Sequence, residues 1–318
     1  MSRTKQSADE RSASGRLPRF ARVVAAMTFL LIIAGALVTG NKAALADPTW
    51  PQFIGRWYPT LATFVAGVRF EDTHRVLAGL TAILTLTLAI WTARSEPRAW
   101  VRKLAWWALA AVAAQAAVGG VIIRFFRPDV VSIIHACLAQ AFFCIVLTVA
   151  VVMGEKWTQA PAQITRPGNS SLRSQCITGT SLVYLQLLVG AGIRHATAAF
   201  MWHLAFHVLL AFGVIAMLLW LLARILNEYR DIRDLRRMAH SAVGLAAVQI
   251  LLGVGAIFAN RARQADASPD WHHVLVSTAH VATGALILAS TLVLTLRAHR
   301  LLAPSPAEQR DRIMEQPA

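Results

Sequence analysis

The chain has 318 residues, of which 56% are apolar and 15% charged, with a mean hydropathy of +0.52. These values exclude an ordinary soluble multidomain enzyme. Lys and Arg outnumber Asp and Glu 31 to 16, but in so apolar a chain the excess is first a membrane-topology signal, and nucleic acid is not an expected partner. Cys137, Cys144 and Cys176 stand in or beside apolar runs without metal-ligand spacing. They read as small packing residues, not as a disulfide framework or a zinc site.

A hydrocarbon core of about 30 Å requires about 20 apolar helical residues, because lipid offers no partner to unpaired backbone groups. Eight segments meet that requirement. Span one, 20–40, follows a polar tail at 1–19; its length and the lack of a small-residue cleavage site mark it as a retained helix. Spans two to four follow at 74–93, 104–123 and 131–153. A Pro/Gly/Ser-rich linker at 157–175 separates them from spans five to eight at 176–193, 202–226, 238–259 and 274–296. The tail at 301–318 is polar, and from Pro304 onward it reads as disordered.

Of the 31 Lys and Arg residues, 22 fall in five groups on one side: six up to Arg22, four from Arg94 to Lys103, three from Lys156 to Arg173, five from Arg224 to Arg237 and four from Arg297 onward. The other nine, Lys42, Arg56, Arg69, Arg75, Arg124, Arg127, Arg194, Arg261 and Arg263, fall in the opposite segments. This asymmetry predicts a multi-pass protein of the cell's inner (plasma) membrane with both termini cytoplasmic and anionic membrane lipids as partners.

The spans repeat. Leu31 to Gly40 in span one resembles Leu187 to Arg194 in span five, and Val118 to Arg124 in span three resembles Leu252 to Ile257 in span seven. The expected fold is an all-α membrane protein of eight transmembrane helices, built as two pseudo-symmetric four-helix bundles at 20–156 and 176–300. The glycines in these stretches serve either close helix packing or the entry of a flat cofactor.

Each even span carries a histidine near its outer beginning: His74, His135, His207 and His280. One intramembrane imidazole is usually a helix contact, but four at matching depth point to ligands. Two imidazoles on facing helices suit the two axial sides of a haem iron, one pair in each half, whereas zinc needs a closed tetrahedral set that this spacing does not offer. His203 competes with His207, because a spacing of four shares a helical face, but the match of His74-Arg-Val-Leu-Ala with His207-Val-Leu-Leu-Ala makes His207 the repeat equivalent and leaves His203 as the alternative. His195, His272 and His273 are expected to be solvated or headgroup-facing at span ends, and His240 and His299 lie with the inner basic clusters.

The halves differ before the histidine. Three residues ahead of His74 stands Glu71, where the other three spans have Ser132, Leu204 and Ser277. A carboxylate there serves proton transfer or stabilisation of positive charge during redox chemistry. Alternatively, Glu71 and Asp72 cap the start of the helix. Arg75 is placed to pair with either acid or with a haem propionate, as are Arg124 and Arg194.

Taken together, Glu71-Asp-Thr-His-Arg75, the Thr39-Gly40 turn with Asp47-Pro-Thr-Trp-Pro51, Gly119-Gly120, Gly190-Ala-Gly-Ile-Arg194 and His280-Val-Ala-Thr-Gly-Ala-Leu286 resemble the haem A synthase family over nearly the whole membrane region. The resemblance implies an enzyme of cytochrome oxidase biogenesis that oxidises a ring methyl of haem O to a formyl group by two successive oxygenations, the geminal diol losing water. It implies that His74 and His135 face the substrate haem, that His207 and His280 ligate a resident haem B, and that Glu71 is the functional carboxylate. Haem O synthase and oxidase assembly factors are implied partners; no electron donor is identified. Two features depart from the family pattern. The first outer loop, 41–73, lacks the cysteine pair of many bacterial members, and His207 lacks a following arginine. A non-catalytic di-haem b-type electron carrier would use the same four histidines, and Glu71 favours the enzyme over it.

Overall fold

The computed structural model describes residues 2–60, 68–195, 200–261 and 270–304, with the side chains of 2–14, 200–201 and 260–261 left aside. Eight long helices carry the eight expected spans: α1 (Ser2–Gly40), α2 (Val68–Ser95), α3 (Ala99–Arg124), α4 (Asp129–Met153), α6 (Asn169–His195), α7 (Phe200–Glu228), α8 (Arg233–Arg261) and α9 (Trp271–Leu301). Between α4 and α6 lie the single turn α5 (Glu155–Thr158) and strand β1 (Ile164–Thr165), and strand β2 (Leu302–Ala303) follows α9. Each long helix has a stretch apolar enough to cross a membrane. A 26-residue helix such as α3 is about 39 Å long, more than the hydrocarbon core demands. The chain is a multi-pass membrane protein.

The helices overrun the apolar spans. α2 begins at Val68, six residues before the expected start, because polar residues continue a helix wherever their side chains find partners. The tail at 1–19 is helical from Ser2 and joins α1 without a break, with Pro18 inside. The residues from 305 onward, expected to be disordered, lie outside the described residues.

Helix neighbours follow chain order. α1 packs on α2 and α4, and α3 packs on both of these; α6 packs on α7 and α9, and α8 packs on both of those. α1 and α4 meet α9, and α4 also meets α6. Ala21, Val24, Leu88, Val101 and Val146 form one buried cluster among α1 to α4, while Leu172, Leu221, Ile225, Leu235 and Leu294 form another among α6 to α9. Ile32, Phe143 and Ala285 pack where α1, α4 and α9 converge. Large apolar side chains also cover the outside: Trp107, Leu209, Phe212, Trp220 and Leu251 are exposed. In water such a surface would drive association, but in a bilayer it is the solvated face.

At the end of the molecule away from the four histidines, the linker is tied down. β1 and β2 pair in parallel, Ile164 with Leu302 and Thr165 with Ala303. Buried Asn169 sits beside this pair: its Nδ2 donates to the carbonyls of Ile164 (2.7 Å) and Ala303 (2.6 Å), and its Oδ1 accepts from Tyr229 Oη at 3.0 Å. Asn169→Ala removes all three bonds and leaves buried groups unpaired. The expected loss is about 2–4 kcal/mol, measured as thermal unfolding in detergent, with faster proteolysis of the linker at 157–165.

Candidate functional site

Each of the four span histidines lies against a glycine of the preceding long helix. A Cβ on Gly35 of α1 would stand 3.1 Å from His74 Cε1 of α2; one on Gly119 of α3, 3.4 Å from His135 Cε1 of α4. The same holds for Gly190 of α6 and His207 of α7, and for Gly253 of α8 and His280 of α9, each at 3.1 Å. Any side chain at three of these positions would push the ring away. The glycines therefore seat the imidazoles, a third use beside helix packing and cofactor entry.

The seating decides the register. His207, not His203, occupies the place equivalent to the other three, and His203 stands one turn nearer the helix start with its residue exposed. The rings of His207 and His280 are tilted neighbours, with centroids 6.4 Å apart and planes at 59°. Two metal–nitrogen bonds of about 2 Å, plus about 1 Å from each nitrogen to its ring centre, place two axial imidazoles about 6 Å apart across one metal. His74 and His135 are likewise electrostatic neighbours. Nδ1 of all four rings is buried without a hydrogen-bond partner. Among the described residues no group of three or more His, Cys, Asp or Glu could hold a bare metal ion. Two imidazoles are too few for zinc, but they suffice for a haem, whose macrocycle supplies the other four ligands.

Two glutamines that the histidine pattern does not reveal line the second pair. Gln186 Nε2 lies 3.2 Å from His207 Nε2 and 3.0 Å from the His207 carbonyl, and Gln249 Nε2 lies 3.2 Å from His280 Nε2. Their signal in the sequence is a spacing of four before the seating glycine, shared by Gln115 and Gly119 but replaced by Leu31 before Gly35.

Of the other histidines, two at span ends are less exposed than expected. His195 is not solvated; it is half-buried at the end of α6, an electrostatic neighbour of His135, Arg127 and Asp129, because α6 packs on α4. His273 is half-buried, whereas exposed His272 stacks on Trp271 with centroids 3.7 Å apart. His240 is exposed and His299 bonds the Thr295 carbonyl, both far along the chain from the four seated rings.

Beside His74 lies a buried cluster of charge. Arg75 Nη1 bonds Asp47 Oδ2 at 2.7 Å and the Gln52 carbonyl at 2.8 Å, while Nη2 bonds Glu71 Oε1 at 2.6 Å and the Asp47 carbonyl. Asp72 Oδ1 lies 3.6 Å from the same guanidinium. The other oxygen of Glu71 accepts the Asp47 N–H at 2.9 Å. Glu71 lies in the first turn of α2, where negative charge suits the helix end, and its carboxylate also holds the preceding loop. That loop also lays the Trp50 ring on Gly120, where a Cβ would be 2.7 Å away, next to the glycine that seats His135.

Asp47, absent from the candidates read in the sequence, is the hub of this cluster. Burial pushes its carboxyl up, but hydrogen bonds from Thr49 and Ile54 and the charge of Arg75 outweigh burial and hold it below the ordinary 3.8. A lowered folded value means that the stabilisation is complete above pH 3.8 and is lost as pH falls through the folded value. Asp47→Asn leaves Arg75 short of a partner and is expected to cost about 3–5 kcal/mol. Faster proteolysis within 41–60 at neutral pH, together with loss of the acid-dependent step in wild-type loop cleavage, checks it.

A model of the cytochrome oxidase assembly protein family (COX15-CtaA) matches residues 1–147 and 60–205. A protein of Symbiobacterium thermophilum named Heme A synthase is 30% identical over 254 residues, 72% of this chain and 81% of that protein. Like-named proteins of Lysinibacillus sphaericus (28% over 172 residues, 54% of this chain, 55% of the relative) and a Bradyrhizobium strain (32% over 159 residues, 46% and 43%) are also similar. With a family model covering the first four spans and part of the second four, and the seated histidines recurring in both, the chain belongs to the cytochrome oxidase assembly protein family, COX15-CtaA.

Proposed function

We propose that the chain is a haem A synthase, which oxidises a ring methyl of haem O to a formyl group. The observation that carries this reading is the fourfold seating of imidazoles on glycines, with a carboxylate cluster, among the described residues, beside only one of the two pairs. A simple electron carrier has no use for that asymmetry. The name of the relatives, Heme A synthase, supports the same reaction.

In this reading the halves, 20–156 and 176–300, are pseudo-symmetric and divide the work. His74 and His135 face the substrate, haem O. His207 and His280 hold a resident haem B at their paired rings. When bound, that haem supplies one-electron transfer to the reaction in the first half. Glu71 is the catalytic carboxylate: bonds from Arg75 and the Asp47 N–H fix it in direction, at the rim of the substrate pair. A fixed negative group stabilises positive charge that develops on the substrate, or accepts a proton from it, without reorganising. Loop 41–60, held by Arg75 and Asp47, keeps water from that rim. Both termini and the linker at 157–175 are cytoplasmic, from the distribution of Lys and Arg, which puts the four histidines toward the outer face of the plasma membrane. Haem O is too apolar to cross water freely, so contacts with the haem O-forming enzyme and with oxidase assembly factors follow from the chemistry of the substrate.

Extraction of pigment from the purified protein tests the reaction. Haem O and haem A beside haem B are expected; haem B alone at two equivalents per chain overturns the enzyme in favour of a carrier. His280→Ala is expected to abolish most of the low-spin b-type spectrum, and an unchanged spectrum refutes its assignment. Glu71→Gln is expected to retain b haem while haem A formed per b haem falls about 10²–10⁴-fold in cells that make haem O. Unchanged haem A from this variant would reduce Glu71 to an anchor of the loop.

A further inference from the structure

One face of α6 carries a ladder at one-turn spacing. Gln186 reaches His207, Gly190 seats the same ring, and one turn further on stands Arg194. The equivalent place, four residues past each of the other seating glycines, holds Thr39, Ile123 or Ile257. Of these four places only the one on α6 holds a cation.

Arg194 is placed unusually for a last-turn arginine. Attraction to the negative end of its helix favours such a residue, but that is satisfied by a side chain reaching into water. This one turns back: Nη2 donates to the Ala36 carbonyl of α1 at 2.7 Å. Ala36 follows Gly35, the seat of His74, and Arg194 is also an electrostatic neighbour of His280. The guanidinium therefore links α6 to α1 next to the residue that seats His74. It has five N–H donors and one hydrogen-bonded acceptor among the described residues, and none of the ion pairs there includes it. A partly buried guanidinium with no carboxylate partner among the described residues is costly. Its planar fork matches a carboxylate with two bonds.

We infer that Arg194 is a carboxylate-binding residue for the haem held by His207 and His280, anchoring a propionate edge one turn beyond the iron-facing rings and tying that edge to α1 of the other half. This rests on the haem reading above and adds the orientation of the macrocycle: carboxylates toward the ends of α6 and α1, apolar edge toward the linker end.

The test compares haem B with its dimethyl ester, which keeps the iron and the macrocycle but has no carboxylate. Full-length protein made in haem-limited cells is reconstituted with each pigment, and retention is followed by the b-type spectrum during transfer to apomyoglobin. The wild type is expected to hold haem B about 10–100-fold longer than the ester, the range for a hydrogen bond to a charged group. Arg194→Gln is expected to bring the two within about twofold, and Arg194→Lys to keep part of the preference. A glutamine variant that loosens both pigments equally, or retains the wild-type preference, overturns the inference: the residue would then be a structural link between helices. Should the wild type take up neither pigment, the haem reading itself fails, and that result is distinct from uptake without discrimination. If the glutamine variant does not fold, the lysine variant decides, since loss of all preference with charge retained also overturns the inference.

Discussion

Everything at the histidine end of the molecule depends on one contact, an imidazole laid on helix backbone where a glycine leaves no side chain. Between helices in lipid there is no hydrophobic drive to approach, so association relies on close packing and polar contacts. A glycine allows the ring of the next helix to reach the backbone, and this fixes its depth to within a fraction of a turn. Four such contacts in the same register place four rings at one level. The 6.4 Å separation of His207 and His280 follows from that placement. Haem chemistry needs the ring positions fixed before the macrocycle arrives, because two axial bonds cannot be made by side chains free to choose other rotamers.

On this common frame the two pairs acquire opposite surroundings. Three carboxyl groups and one guanidinium stand beside His74. The second pair has amides at both rings and Arg194 nearby. Neutral donors beside the rings fix orientation without altering charge, as a resident redox group requires. Negative groups at the rim of the first pair favour a substrate that becomes electron-poor. The two pairs thus differ in charge and not in their glycine seats, so the division of labour proposed above would rest on charge.

The eight spans and the four ring positions were legible in the sequence because both are local: a run of apolar residues, and a histidine a few residues into it. The preference for His207 over His203 rested on the repeat alone, since a spacing of four leaves both on one face; the partner glycine on another helix marks the same ring as the repeat equivalent. Asp47 was invisible as a partner of Arg75 because it lies 28 residues away in a polar loop. His195 misled for the same reason in reverse: a span end looks solvated unless the packing of α6 on α4 is known. The helix ends ran past the apolar spans because hydropathy reports where lipid stops, whereas hydrogen bonding decides where helix stops.

The loop between α1 and α2 is fastened by polar bonds and not by a core: Trp57 and Tyr58 are exposed, while Asp47 and Glu71 are buried and fully engaged. A buried ion pair adds little net stability over an apolar replacement, but it permits one arrangement and penalises every other, since each misplaced charge is left unpaired. An apolar fastening would slide. Because Glu71 contributes one oxygen to Arg75 and the other to the Asp47 N–H, the group proposed for chemistry is held by the same bonds that hold the loop. Closure of the rim and orientation of its carboxylate are then one event, and any substitution that frees the loop also misdirects the carboxylate.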